Sequence, residues 1–501
     1  MKKMAKKAPK KAKTARPRKP KAPPPSAAPK ASEAALPRDS ARSDRFLPAV
    51  WKRGPAAVLG MGRSGLAAAK LLAKKGFKVL LSDERPRKAL RAAAAKLPAG
   101  VSWEGGGHSD RLLKCRFAVK SPGLPSHAPV LERLKAAGIP VFSELEVALA
   151  FLPAVETVAV TGTNGKTTTA TLTAAVFKAA RRRVHLLGNV GVPVCAAVAG
   201  VKKGDLLVLE TSSYQLEDSR RFLPEAAAIL NLTPDHLDHH GGMEAYAAAK
   251  RRVFAWMDRR HSCVFNADDA GVVAMARSCR GRKLFFGRSP STMTAAWPEG
   301  GKILLRLQGW KKPVKLSPPK LPGEHNLQNA MAAALLGAAR GVKPEAIQKA
   351  FKAFKGVSHR LEDCGVRKGL ACVNDSKATN VDSTLVALAT MPQTKTTLLI
   401  LGGRPKAGGF AGLRSQVERR VKAVLSVGEA AARVETDLQG AAHVFPCQTL
   451  EKAVEVAFQI GLKGETLLLS PACASFDQFT DYEHRGRTFK ELLAVHGGKP
   501  K

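Results

Sequence analysis

The sequence predicts an α/β protein of three domains, each built on a parallel sheet, behind a basic N-terminal tail. Three observations carry this expectation. Apolar strand-like runs alternate with helical runs in three series, the pattern of parallel sheets covered by helices. Glycine-rich turns, Gly60–Gly65 and Gly162–Gly165, stand where a strand gives way to a helix. The length of 501 residues, with 45% hydrophobic and 5% aromatic content, is enough for several cores.

Residues 1–45 are Lys/Ala/Pro low complexity, with 15 basic and 3 acidic residues. So little there can be buried that the segment is expected to be disordered, either a solubilising tail or an arm for polyanions such as nucleic acid. The whole chain carries a net charge of +42, so the body is basic as well and favours anionic partners such as nucleotides and phosphates. Eight scattered cysteines without a CxxC pair suit reduced thiols in the cytoplasm. The N-terminus lacks the apolar stretch of a signal peptide, and no apolar run reaches membrane-spanning length.

Residues 46–145 form the first predicted domain, Rossmann-like. AAVLGMGRSGLAAAKLLAKKGFKVLLSDE reads as strand, glycine turn, helix and strand, closed by Asp83. The GxGxxG turn with an acidic residue after the next strand is a dinucleotide fingerprint, in which backbone N–H groups at a helix start face a phosphate. It suits a UDP group as well as NAD.

Residues 146–356 form the second, a parallel-sheet domain of the P-loop ATPase kind. TGTNGKTT follows the apolar strand Val158–Val160 and precedes a long helix beginning near Lys166. The loop is shorter than GxxxxGK[ST], yet Gly162 and Gly165 let several N–H groups converge on one anion. Lys166 can reach β/γ-phosphates, and the Thr167 or Thr168 hydroxyl can ligate Mg²⁺. Glu210 ends the run from Leu206, and Asp235-His236 follows the strand Ala228–Leu232; both stand at strand ends, where α/β domains bind ligands. Lys250, in MEAYAAAK, reads from its neighbours as a solvated helix lysine. Asn326 and Asn329 lie one helical turn apart, spaced to bond an adenine or to fix a loop.

Residues 357–501 form the third domain, Rossmann-like α/β, with strands in KTTLLILGG, AVLSVG and ETLLLSPACASF. Polar loops follow: NDSKATN (Asn374–Asn380), LGGRPKAGGF, and SPACASFDQF with Ser470, Ser475 and Asp477. Cys473 reads as a small buried hydrophobe, since no histidine accompanies it.

TGTNGKTT, ETSSYQL, NLTPDHLDHH with AYAAAK, GEHNLQNAMAA, HRLE, NDSKATN and SPACASFDQF resemble, in this order, the motifs of the Mur ligases. The resemblance spans roughly residues 55–495 and is closest to the members that add D-glutamate to UDP-N-acetylmuramoyl-L-alanine. It implies ATP-dependent amide formation through an acyl phosphate, by a cytoplasmic monomer with two Mg²⁺ ions. ATP would meet Gly162, Thr163, Asn164, Gly165, Lys166, Thr167 and Thr168, with Asn326, Asn329, Arg360 and Asp375 bridging to the third domain. Thr167 or Thr168 and Glu210 would hold one Mg²⁺; His236 and a carbamylated Lys250 would hold the other. Gly62, Arg63, Ser64, Asp83, Gly123, Asn189 and Ser212 would contact the UDP-sugar. Thr379, Lys406, Ser475, Phe476 and Tyr482 would bind D-glutamate.

The sequence departs from the family at three points. Gly409 stands where an aspartate is usual, His239-His240 replaces an arginine-containing pair, and Arg63 occupies a commonly apolar position. The competing expectations are a sibling amino-acid ligase (another Mur ligase or a folylpolyglutamate synthase), a nicotinamide oxidoreductase on GxGxxG alone, and a nucleic-acid-binding protein on charge alone.

Overall fold

Strands that are apolar along their whole length have to be covered on both faces, and strands of this kind form the centres of three sheets that organise the chain. The computed structural model describes residues 54–498, apart from 126, 190, 308, 311, 406, 407 and the side chain of Asp238. The basic tail and Lys406 therefore lie outside the described residues.

The first sheet comprises Ala56–Leu59 (β1), Val79–Asp83 (β2), Val101–Gly105 (β3), Phe117–Lys120 (β4) and Val141–Ser143 (β5). All its pairings are parallel, in the order β3-β2-β1-β4-β5. The order reverses between β1 and β4, which opens a crevice at their carboxyl ends.

The second sheet begins with Glu156–Thr161 (β6), Val184–Gly188 (β7), Leu206–Glu210 (β8) and Ala226–Ile229 (β9). It continues through Ser262–Asn266 (β10), Arg282–Phe286 (β11), Thr294–Glu299 (β12), Lys302–Leu305 (β13) and Val314–Leu316 (β14). The order is β14-β13-β12-β11-β10-β9-β6-β8-β7. Against it pack, side by side, the helix Lys166–Ala179 and the alanine-rich helix Glu324–Ala339, whose small side chains allow close approach.

The third sheet holds Glu362–Arg367 (β15), Leu370–Asn374 (β16), Thr397–Gly402 (β17), Val421–Val427 (β18), His443–Gln448 (β19) and Thr466–Leu469 (β20). Its order is β15-β16-β20-β17-β18-β19.

The sheets are mainly parallel, as expected, with antiparallel strands at one edge of the second and of the third. β12–β13–β14 and β15–β16 are antiparallel. For β12–β13 and β15–β16 the cause is local: Gly300-Gly301 and Lys368-Gly369 are two-residue turns with positive φ throughout, the geometry that returns a strand on itself. The strand expected at Ala228–Leu232 is Ala226–Ile229 instead. Beyond it the chain turns to brace the phosphate loop, with Asn231 O accepting from Thr163 N.

One apolar cluster runs without a break from the first sheet (Val58, Leu72, Phe117) into the second (Leu187, Val194, Phe222), while the third sheet has clusters of its own. The first two sheets are thus joined by core packing. Among the described residues, no helix is long and apolar enough to cross a membrane.

Candidate active site

The crevice at the β1/β4 switch point is a cavity of 480 Å³. Gly60 has φ +92°, and a Cβ on Gly65 would stand 1.9 Å from Gly60 O, so helix and strand can meet this closely only around glycine. Gly62, Arg63, Ser64, Asp83, Gly123 and Asn189 all line the cavity. Asp83, however, is already engaged. One oxygen accepts from Met61 N at 2.6 Å, and the Arg85 guanidinium grips both. Burial works against its charge, but Arg85 and the Met61 N–H outweigh it and hold the carboxyl at about 2. The carboxylate therefore braces the glycine turn, which removes the acceptor a nicotinamide dinucleotide would need for its ribose. Ser212 is also spent locally: it caps the helix Ser213–Glu217, and Gln215 of that helix lines the cavity in its place.

A second cavity, of 420 Å³, lies over the phosphate loop at the end of β6. Gly165 takes φ +81° to start the helix, and a Cβ there would lie 2.4 Å from Asn329 Oδ1. Thr163, Asn164, Gly165, Lys166, Thr167, Glu210, His236, Asn329, Arg360 and Asp375 line this cavity together. Lys166 Nζ folds back to donate to Gly162 O (3.0 Å) and Thr163 O (2.7 Å). Burial lowers its pKa, while Glu210 and Asp235 pull it back up. Gly162, Thr168 and Asn326 stand behind the cavity wall; Asn326 Nδ2 donates to Pro322 O, and its Oδ1 accepts from Asn329.

Glu210 carries the electrostatic signature of this cavity. Its Oε1 accepts from Asn189 Nδ2 at 3.0 Å, while its Oε2 is buried and has no hydrogen-bond partner. A buried carboxylate oxygen without a partner costs about 1–3 kcal/mol, a cost that a cation would remove. With the Thr167 hydroxyl on the same cavity, this donor set fits Mg²⁺.

Lys250 is not the solvated lysine its neighbours suggested. It is 1% exposed, donates to Gly162 O at 2.8 Å and lies 4.3 Å above the Tyr246 ring. Burial first, and Lys166 second, push its pKa well below the ordinary lysine value, toward the neutral amine. His236 has φ +54° and lies 3.4 Å from Asp235.

The third sheet supplies the far wall. His359 (φ +63°) and Leu361 (φ +43°) hold the backbone around Arg360 in a conformation rare for side-chain-bearing residues, a strain typical of functional sites. Burial pushes Asp375 up to about 7, although Ser470 and the Leu361 N–H hydrogen-bond to it. Thr379 and Tyr482 line the cavity; Ser475 is buried outside its lining, and Phe476 is 61% exposed. Beside Gly409, Asp437 accepts from Phe410 N at 2.7 Å, so a carboxylate does brace this loop, from another helix.

Several lining residues were not singled out from the sequence. Lys377 reaches from the third sheet to Thr167 Oγ1 at 2.8 Å, and burial lowers its pKa to about 8. It is the lysine of NDSKATN, a motif already in view. Asn231 exchanges hydrogen bonds with Asn164 across the phosphate loop. Arg85, His325 and Gln328 carry no spacing signal of their own.

Three family models match successive parts of the chain. Residues 55–143 match the Mur ligase MurD-like N-terminal domain, 160–337 the Mur ligase middle domain, and 359–473 the Mur ligase glutamate ligase domain. The chain is 44% identical over 456 residues to the UDP-N-acetylmuramoylalanine–D-glutamate ligase of Elusimicrobium minutum, covering 89% of this chain and 99% of that one. It is 41% identical to the ligase of the same name from Koribacter versatilis, over 87% of this chain and 96% of that one. The fold is shared with the UDP-N-acetylmuramate–alanine ligase of Thermotoga maritima, with a TM-score of 0.56 at 18% identity, over 88% of this chain and 100% of that one. The protein belongs to the Mur ligase family.

Proposed function

We propose that the protein joins D-glutamate to UDP-N-acetylmuramoyl-L-alanine in peptidoglycan precursor synthesis, with conversion of ATP to ADP and phosphate. The observation that carries this reading is the junction of the two cavities. Arg63 and Asn189 line both, so a UDP-linked substrate held at the β1/β4 crevice would extend its far end to the phosphate loop.

In this reading the L-alanyl carboxylate attacks the γ-phosphorus and ADP leaves, giving an acyl phosphate. The amine of D-glutamate then attacks the acyl carbon, loses a proton, and phosphate departs. Lys166 and the loop N–H groups hold the phosphates, and Lys377 and Arg360 add positive charge from the third domain. The third domain, 357–501, closes against the central one, 146–356, and excludes water from the acyl phosphate. Thr167 and Glu210 would hold one Mg²⁺, and His236 with a carbamylated Lys250 the other. Bound Mg²⁺ neutralises the charge that accumulates among the reacting anions. Support for the carbamate is the buried, neutral-leaning amine of Lys250, the form that reacts with CO₂. Thr379, Tyr482, Ser475, Phe476 and Lys406 would receive D-glutamate.

The test is ADP release that depends on both D-glutamate and UDP-N-acetylmuramoyl-L-alanine. Equal turnover with L-alanine or a diamino acid as acceptor would instead make the protein a sibling ligase.

We also infer a cytoplasmic monomer, in keeping with its nucleotide substrates and with cysteines that are all free. The basic N-terminal segment would serve as an accessory polyanion contact. Removing residues 1–45 should leave turnover within about twofold while weakening salt-sensitive DNA binding. Outright loss of catalysis would place the tail in the site.

A further inference from the structure

Glu217, His239 and His240 converge outside the linings of both cavities and have no part in the chemistry above. Their ligand-capable atoms all lie within 4.8 Å of one another. Glu217 Oε2 is 3.2 Å from His239 Nε2 and 3.1 Å from His240 Nδ1. A tetrahedral ion with arms of ~2.0–2.1 Å spaces its ligand atoms about 3.3 Å apart, so these separations are already close to two edges of that tetrahedron.

The surroundings orient all three groups. Lys120 Nζ, at the end of β4, holds the other carboxylate oxygen, Glu217 Oε1, at 2.5 Å and Asp218 at 2.7 Å. His239 Nε2 reaches both oxygens, 2.9 Å from Oε1 and 3.2 Å from Oε2, while His240 Nδ1 faces Oε2. Ser213 Oγ lies 2.9 Å from His240 Nε2; with the ring N–H donated there, the Nδ1 lone pair faces Glu217. Partners of this kind on the outer atoms of ligands are what fix ligand tautomer and direction in metal sites. The Tyr214 ring stands 4.1 Å from the His239 ring and 5.5 Å from that of His240, which limits their rotation.

We propose that Glu217, His239 and His240 form a site for a Zn²⁺-class ion, with water as fourth ligand. Two nitrogen donors and one carboxylate select a borderline ion over Mg²⁺, which prefers oxygen. The bound ion would tie the helix Ser213–Glu217 to the short helix Leu237–His240, and so steady His236 at the start of that helix. The site is distinct from the phosphate-side Mg²⁺ positions and needs neither ATP nor substrate.

The test uses the full chain, stripped with chelator and kept in millimolar Mg²⁺, titrated with Co²⁺ as a spectroscopic stand-in for Zn²⁺. The expected result is one equivalent of tetrahedral visible absorption, displaced by Zn²⁺, with a rise in Tm that grows with Zn²⁺ concentration. His239→Gln and His240→Gln should each lose the absorption, and His236→Ala should keep it. X-ray absorption on the wild-type zinc protein should count two imidazole ligands, a readout that does not depend on how the variants fold. Absence of the tetrahedral band, its survival in both glutamine variants, its loss in His236→Ala, or a zinc shell without two imidazoles would overturn the proposal.

Discussion

Asn189 Nδ2 donates to Glu210 Oε1 over 3.0 Å, and Asn189 is one of two residues that line both cavities. It thus ties the substrate crevice to the carboxylate that faces the phosphate loop. Asn189→Ala should lower kcat/KM about 100-fold, the scale of losing one preorganised donor. The Mg²⁺ concentration needed for half-maximal rate should rise, because Glu210 loses its orienting partner. An unchanged Mg²⁺ requirement would mean that Asn189 serves the UDP-linked substrate alone.

Lys250 sets a second test. Lys250→Arg puts a permanent cation at this position and cannot form a carbamate, so this variant should be nearly inactive while still binding ATP. Activity of Lys250→Ala should be partly restored by a small carboxylate in the buffer. Full turnover in Lys250→Arg would leave the lysine a purely structural donor to Gly162 O.

The pair Lys120–Glu217 joins the first sheet to the helix that begins at Ser213. Lys120 is 2% exposed, and removing one partner of a buried ion pair costs about 3–5 kcal/mol. Lys120→Met should therefore lower Tm by several degrees and raise KM for the UDP-linked substrate more than it lowers kcat, since the Ser121–Leu124 segment that follows it lines the crevice. A Tm equal to the wild type would show that core packing alone fixes the first sheet.

Asp375 predicts a pH dependence of stability. Its folded-state pKa, raised by burial to about 7, exceeds the ordinary carboxyl value of 3.8. The unfolded chain then binds fewer protons than the folded one between these values. The contribution of Asp375 is fully present below pH 3.8 and is lost as pH rises toward 7. Asp375→Asn should flatten the fall in denaturant midpoint across this window. Identical slopes in the two proteins would assign the pH dependence to other groups.

Much of the fold and part of the site were legible in local patterns. Apolar strands such as AAVL and LLVL need covering on both faces, and a glycine turn between strand and helix exposes N–H groups wherever it occurs; glycine spacing therefore marked Gly60–Gly65, and position at a strand end marked TGTNGKTT and Glu210. The antiparallel edges were written in Gly300-Gly301 and Lys368-Gly369 as well, in turn chemistry rather than in hydrophobic period. What only the tertiary structure decided concerns burial and long-range pairing. Nothing near Lys250 in the sequence shows that its amine is buried under the phosphate loop. Asp83 is spent on Arg85 and Met61, Asp437 stands in beside Gly409, and Glu217 meets His239, His240 and a lysine from another sheet. A side chain's charge state and free valences depend on what surrounds it in three dimensions, and those neighbours are brought together from dozens of residues away by the packing of the sheets.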